Sequence, residues 1–306
     1  MRQSKKILFG FLVFLSVFVI TQVSAALAPF SHVLIVSIDG GRSDIIFTMA
    51  ESKNIHSLAF GGAYTLWAQS INPSVTLPAH TSMLTGVKAN VHGIFWNDYQ
   101  PEKGYVKVTT IFELAKAAGL KTAMFTGKEK LLHIAKPGTV DKFKWVNGDA
   151  GAIAKAAAEY IIEEKPNLCF VHLPDLDSVG HSYGWGSAKQ VKAVENCDKA
   201  IGILLDGLRS ADILGQTLVI VSADHGGHGK THGSSDVRDM CVPFVCSGAS
   251  VKPNYEIQVP VSICDVAGTA AYAFGLNIPD SWTGKPITEI FKEKIDLRTV
   301  VPETVQ

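Results

Sequence analysis

The chain has 306 residues, 47% of them hydrophobic and 18% charged. That suits one large α/β domain or two small ones and is too apolar for disorder, low complexity or a coiled coil. Lys plus Arg and Asp plus Glu both number 28, so no basic excess marks a surface for nucleic-acid polymers.

Residues 1–25 read as a cleavable secretory signal. Arg2, Lys5 and Lys6 precede an uncharged apolar run at 7–20, and Val23-Ser24-Ala25 supplies the small residues that signal peptidase requires. As a helix the run reaches only about 21 Å, against a hydrocarbon core of ~30 Å; a retained anchor is the alternative. Cutting after Ala25 takes the net charge from zero to −3. A secreted or periplasmic protein without a stable membrane partner is expected. Cys169, Cys197, Cys241, Cys246 and Cys264 survive the cut, and an odd count in an oxidising compartment leaves at least one thiol unpaired.

Residues 29–291 read as one domain, with a solvated tail at 292–306. Short apolar runs at 33–38, 121–125, 168–173, 217–222 and 242–245 are of the kind that parallel strands buried on both faces produce. Helical patterns lie between them. Pro78 suits a first helical turn and Gly86 a stop, which puts Thr76 at a helix entrance. Thr110 and Glu113 form a capping box, with Gly119 as the stop. Residues 152–164, 188–208 and 264–274 are also helix-like. The alternation predicts a doubly wound α/β fold, a mostly parallel central sheet with helices on both faces. Segments 97–108 and 139–150 fall between regular elements, where insertions that select substrate are expected. Trp96, Tyr99 and Tyr105 there are candidates for stacking on a base or sugar.

Three apolar runs end in carboxylates: Asp39 after the first, Asp175 and Asp177 after the third, Asp224 after the fourth. Carboxyl ends of parallel strands form the ligand crevice of such folds, so these groups should converge. Histidines accompany them. Asp177 precedes His181 by four residues, and Asp224-His225 leads into a Gly-rich stretch carrying His228 and His232. Mixed Asp and His ligation suits Zn²⁺ or Mn²⁺ better than Ca²⁺ or Mg²⁺. Unpaired N–H groups at the Thr76 helix entrance attract anions, and a hydroxyl there could ligate a metal and attack a phosphorus or sulfur centre.

Six separated stretches carry a resemblance: Asp39-Gly40-Gly41-Arg42; Pro73 to His80; His92-Gly93-Ile94-Phe95-Trp96-Asn97; Asp177 to His181; Asp224-His225-Gly226; and Thr231-His232-Gly233. In this order they resemble the nucleotide pyrophosphatase/phosphodiesterase branch of the alkaline phosphatase superfamily. The resemblance implies two divalent metals, zinc or manganese. One would be held by Asp39, Asp224, His225 and the Thr76 oxygen, the other by Asp177, His181 and His232. It also implies a phosphothreonine on Thr76, with the Asn97 amide and the Thr76 N–H holding a phosphoryl oxygen. His232 is preferred to His228 as ligand because it precedes a glycine in the motif-like Thr-His-Gly; His228 is left to contact substrate or orient a ligand. Asp177 is preferred to Asp175 for its spacing to His181.

A neutral amide is adequate for the single charge of a phosphate diester, whereas a monoester dianion is best held by a guanidinium. The expected substrate is therefore a small phosphate diester or nucleotide. Lys128 and Lys130 resemble the lysine-bearing segment with which phosphonoacetate hydrolases of the same superfamily hold a carboxylate. A phosphonate hydrolase, a phosphomonoesterase and a non-catalytic binder of metals or phosphate esters stay open as alternatives. A sulfatase is disfavoured, because Thr76 stands where formylglycine formation requires Cys or Ser with its Pro and Arg context.

Overall fold

One eight-stranded sheet organises the chain, in the order β4-β3-β5-β1-β6-β7-β2-β8. The computed structural model describes residues 29–295 and 297, so the signal expected at 1–25 and most of the tail lie outside the described residues. The strands are β1 (His32–Ile38), β2 (Ala63–Gln69), β3 (Thr122–Thr126), β4 (Lys142–Trp145), β5 (Leu168–Leu173), β6 (Thr217–Ser222), β7 (Cys241–Ser247) and β8 (Tyr255–Glu256). The helices are α1 (Lys53–Phe60), α2 (Thr76–Thr85), α3 (Ala89–His92), α4 (Ile111–Ala117), α5 (Ala150–Glu164), α6 (Asp175–Tyr183), α7 (Ala188–Ser210), α8 (Val237–Met240) and α9 (Asp265–Ala273).

Successive side chains of the central strands enter opposite cores, as strand pleating requires. Val33 and Ile35 of β1, Phe170 of β5 and Ile220 of β6 pack with Leu77, Phe112 and Ala267 of α2, α4 and α9. Leu34, Val36, Val171 and Val219 pack on the other face with Ile55, Ile153, Leu176 and Leu204 of α1, α5, α6 and α7. Both faces of β1, β5 and β6 are therefore sealed, which explains why these runs are apolar without alternation. The sheet is mostly parallel and doubly wound, as expected.

Local signals decide the helix ends. Thr110 Oγ1 accepts from Glu113 N–H at 3.1 Å while Glu113 Oε2 accepts from Thr110 N–H at 2.7 Å, the reciprocal pair of a capping box. At Gly119 the chain turns with φ +74°, a left-handed conformation that favours glycine.

Three expectations are corrected and one strand is added. The run at 242–245 lies in β7, which is antiparallel to both β6 and β2. The connection from β6 carries the loop at 223–240 and only the short α8, without the long crossover that a parallel return needs. Segment 139–150 is not wholly irregular, because Lys142–Trp145 adds to the sheet edge beside β3. β2 was not anticipated at all. The core also continues past Phe291: Ile295 is buried and its N–H donates to the Tyr272 hydroxyl at 3.0 Å. Segment 97–108 does stay irregular apart from one 3-10 turn at Pro101–Lys103. All five cysteines are buried with free thiols. Among the described residues no helix is long and apolar enough to cross a membrane.

Candidate active site

β5, β1 and β6 are adjacent in the sheet, and their parallel alignment brings Asp39, Asp177 and Asp224 to one edge. Asp39 follows β1 directly. Asp177 lies in the first turn of α6, whose helical rise sets His181 one turn further on the same face. Asp224 and His225 begin the loop after β6, and the same loop carries His232 back towards His181.

The three carboxylates share one pattern, a held oxygen and a free one. Asp39 Oδ2 is held by Lys128 Nζ at 2.5 Å and His172 Nε2 at 2.9 Å. Asp177 Oδ2 is held by Lys128 at 2.6 Å, and Asp224 Oδ1 accepts from Gly40 N–H at 3.2 Å. Asp39 Oδ1, Asp177 Oδ1, Asp224 Oδ2 and His225 Nε2 are buried without a hydrogen-bond partner. An orphaned buried polar atom is rare and costly, and four at one locus fit a cation taken up by that donor set.

The imidazoles are prepared in the same sense. Backbone carbonyls can only accept, so a ring nitrogen facing one carries the hydrogen. His181 Nδ1 faces Lys230 O at 3.0 Å, His225 Nδ1 faces Gly226 O at 2.8 Å and His232 Nδ1 faces Ser74 O at 2.9 Å. Each Nε2 therefore keeps its lone pair, the usual orientation of a metal-ligating histidine. His181 and His232 aim these atoms at each other, 3.1 Å apart.

Two groups of donors fall within mutual ligating reach: Asp177 with His181 and His232, and Asp39 with Asp177 and His225. The first is one of the expected ligand sets. The second shares Asp39 and His225 with the other expected set, whose Asp224 adjoins it with Oδ2 3.3 Å from His225 Nε2. Asp177 thus faces both groups.

Electrostatics reflect this crowding. Burial alone would raise Asp39, but Lys128, His172 and His225 outweigh it and hold the carboxyl well below its ordinary range. Burial and the Asp39 charge also push Asp177 upward, yet His181, Lys128 and His225 bring it down to about 2. For Asp224, burial followed by the Asp39 charge outweighs Lys128 and the Gly40 N–H and pushes the carboxyl well above its ordinary range. Burial lowers His225 to about 4, with His232 adding to the effect. Burial works against charge on Lys128 too, but Asp39 and Asp177 prevail and hold it protonated.

Thr76 is the first residue of α2, after Val75 in extended conformation, and is fully buried. Lys128 Nζ lies 3.2 Å from Thr76 Oγ1. Asn97 Oδ1 accepts from Leu77 N–H at 2.9 Å, which leaves the amide NH₂ and the Thr76 N–H as donors at the helix entrance. Lys130 is half-buried beside this cluster. Burial and Lys128 lower its pKa.

The remaining candidates separate. His228 Nδ1 donates to the buried Asp239 at 2.6 Å and belongs to neither donor group. Tyr99 packs on the His133 ring at 5.3 Å, in a cleft of about 100 Å³ with Tyr105 and Leu132. No hydrogen bond or ring contact joins it to Thr76 or the donor groups. Asp175 accepts from Ala150 N–H at 2.8 Å, a structural role at the start of α5. Arg42 is clamped on Asp44 and Gly227 O.

Two buried histidines were missed. His172 Nδ1 accepts from Gly127 N–H at 3.2 Å, so its Nε2–H donates to Asp39. His80 bridges Ser37 Oγ and Thr76 O, each at 2.8 Å. A signal for His172 existed: it is the one imidazole within a fully buried strand, next to that strand's carboxyl end.

The profile of the type I phosphodiesterase / nucleotide pyrophosphatase family matches residues 33–232. The human ectonucleotide pyrophosphatase/phosphodiesterase family member 1 is 29% identical over 216 residues, which are 63% of this chain and 23% of that protein. A venom phosphodiesterase of Naja atra is 24% identical over 224 residues, 64% of this chain and 26% of that protein. The chain thus spans about a quarter of the length of these two relatives. Among solved structures, an inactive variant of murine ectonucleotide pyrophosphatase/phosphodiesterase 5 in complex with AMP superposes with a TM-score of 0.74. It is 15% identical, and the match covers 85% of this chain and 99% of that one. A 2-O GAG sulfatase gives a TM-score of 0.69 at 15% identity, covering 87% of this chain and 75% of that one. These structures share the fold. The profile match takes in more than half of the chain and every candidate ligand from Asp39 to His232, and the chain belongs to the type I phosphodiesterase / nucleotide pyrophosphatase family.

Proposed function

We propose that the protein is a metal-dependent phosphodiesterase that opens small phosphate diesters or nucleotide pyrophosphate bonds with Thr76 as nucleophile. The observation that carries this reading is the set of free oxygens on Asp39, Asp177 and Asp224 facing the free Nε2 atoms of His181, His225 and His232. The AMP held by the murine relative supports a nucleotide class of substrate. Two divalent cations, zinc by this mixture of donors or else manganese, would supply Lewis acidity at the attacking and departing oxygens.

The chain's own groups do the rest. The Thr76 oxygen forms a bond to phosphorus as the bond to the departing alkoxide or phosphate breaks, leaving a phosphothreonine; water then cleaves that ester and restores the hydroxyl. Lys128 donates towards Thr76 Oγ1 and favours its deprotonated form. The Asn97 NH₂ and the Thr76 N–H meet the charge that develops on a non-bridging oxygen. The α2 dipole adds to both.

The test is Thr76→Ala, assayed on bis(p-nitrophenyl) phosphate with zinc or manganese, alongside metal content. Turnover is expected to fall by about 10⁴-fold or more, with metal content nearly unchanged. Undiminished hydrolysis would refute the mechanism.

A second reading, a substrate with a further anionic group such as a carboxylate, is favoured by Lys130. It is half-buried and makes no ion pair or hydrogen bond among the described residues, and Lys128 already touches the nucleophile. Phosphate release from phosphonoacetate that is lost in Lys130→Ala would select this reading over the simple diester.

A further inference from the structure

Trp185 lies in the turn between α6 and α7, buried to 8% exposure, outside every motif discussed so far. Its indole is fixed to the segment behind Asp39, because Nε1–H donates to Gly40 O at 3.0 Å. Its backbone N–H donates to Gly229 O at 2.8 Å, within the loop that joins His225 to His232. The ring packs edge-on against His181, with centroids 5.2 Å apart and planes at 85°, and against His232 at 5.8 Å and 61°.

The space for this ring is made by two glycines. A Cβ on Gly180, the residue before His181, would come within 2.8 Å of the indole, and one on Gly227 within 2.2 Å. Both distances are below any tolerable contact, so α6 and the His232 loop close on the ring with no side chain between. A rigid wedge with a fixed hydrogen bond at its tip sets the separation of the two elements, and with it the Nε2 to Nε2 approach of His181 and His232.

We propose that Trp185 is the positioning residue of the Asp177–His181–His232 centre. It holds both imidazoles in ligating geometry by direct contact, and reaches the Asp39–Asp224–His225 centre only at second hand, through Gly40, whose N–H donates to Asp224 Oδ1, and through the stack of His232 on His225 at 3.7 Å. This inference rests on the metal reading of the same site. Groups that orient metal ligands typically contribute about tenfold to a hundredfold in metal affinity, and here the effect should be larger at this centre than at the other.

The experiment is zinc titration of metal-free full-length protein by calorimetry, with stoichiometry after dialysis, for wild type, Trp185→Phe, Trp185→Leu and Gly227→Ala. Wild type is expected to bind two zinc ions per chain. Trp185→Phe loses the bond to Gly40 O but keeps an aromatic edge, so one centre should weaken about tenfold; Trp185→Leu should weaken it about a hundredfold. Gly227→Ala perturbs the wedge from the opposite side and should weaken the same centre. His181→Ala identifies that centre by abolishing it. The other centre, which the ring reaches only through Gly40 and the His225–His232 stack, should weaken less than the first in every Trp185 and Gly227 variant, and the thermal midpoint of each metal-free variant reports folding separately.

Two full-affinity zinc ions in Trp185→Leu and Gly227→Ala would overturn the proposal, as would equal weakening of both centres. If wild type binds no zinc at the locus that His181→Ala removes, the metal reading fails along with it.

Discussion

Asn97 offers a test that separates two roles carried by one amide. Its Oδ1 accepts from Leu77 N–H at 2.9 Å and so satisfies a first-turn donor of α2, although Asn97 lies outside that helix. Its NH₂ is the proposed donor to a phosphoryl oxygen. Asn97→Ala removes both functions. Loss of a capping acceptor costs about 1 kcal/mol, which in a domain of this size lowers the thermal midpoint by about 2–4 °C. Loss of an oxyanion donor costs about 10²–10³ in kcat. Asn97→Asp keeps an acceptor at the same place and adds a charge that the helix N-terminus favours, so its midpoint should match or exceed that of wild type. It lacks the NH₂ and repels an anionic ester, so its kcat/KM should fall at least as far as that of the alanine variant. Differential scanning calorimetry and hydrolysis of bis(p-nitrophenyl) phosphate measure the two quantities. An aspartate variant that stays within threefold of wild-type activity, or that melts as low as the alanine variant, would refute the division of roles.

Two predictions address the fold that carries the site. Gly86 ends α2 with φ +65°, and a Cβ there would meet the buried Trp282 ring at 2.8 Å. Left-handed strain and overpacking together should make Gly86→Ala less stable by about 2–4 kcal/mol in urea denaturation, and a loss below about 1 kcal/mol would contradict the packing argument. Asp141 accepts from Lys116 Nζ at 2.7 Å and from Thr122 N–H at 2.8 Å; burial works against its charge, but these bonds win and lower its pKa. A depressed carboxyl contributes stability above its unfolded pKa of about 3.9 and loses it as pH falls through the folded value. Asp141→Asn should therefore be less stable than wild type at pH 7, with a gap that closes below about pH 4; a gap constant down to pH 3 would count against the argument.

Much of this was legible because each signal was local. The ends of β5 and β6 followed from apolar runs bounded by polar residues, and the Thr110–Glu113 box needs only four residues to declare itself. Asp39, Asp177 and Asp224 were legible as a set because parallel topology sends the ends of buried strands to one edge. β2 was hidden by its own irregularity: a bulge between Thr65 and Ala68 breaks the alternation, and Trp67 points to solvent. β4 alternates Lys with aromatics and is largely exposed, as charged edge strands are, so its sequence matches a solvated loop equally well. The antiparallel sense of β7 depends on where its connection runs, which an apolar run does not encode. Trp185 and His80 each join a near neighbour to a partner far away in sequence, Gly40 and Gly227 for the first and Ser37 for the second, and those distant partners leave no trace in the local sequence.

The adjacency of β5, β1 and β6 also bears on how the molecule comes to exist. Asp39 and Asp224 are separated by most of the chain, and Asp177 joins them only when β1 has paired on both sides. Such pairings close long loops, and loop closure is an entropic debt met before any contact repays it. Helices such as α5 and α7 close their hydrogen bonds on neighbouring residues, whereas the donor cluster draws on segments from Asp39 to His232 and needs β1 paired with both β5 and β6. The donor set is thus complete only in a chain whose central strands are all paired.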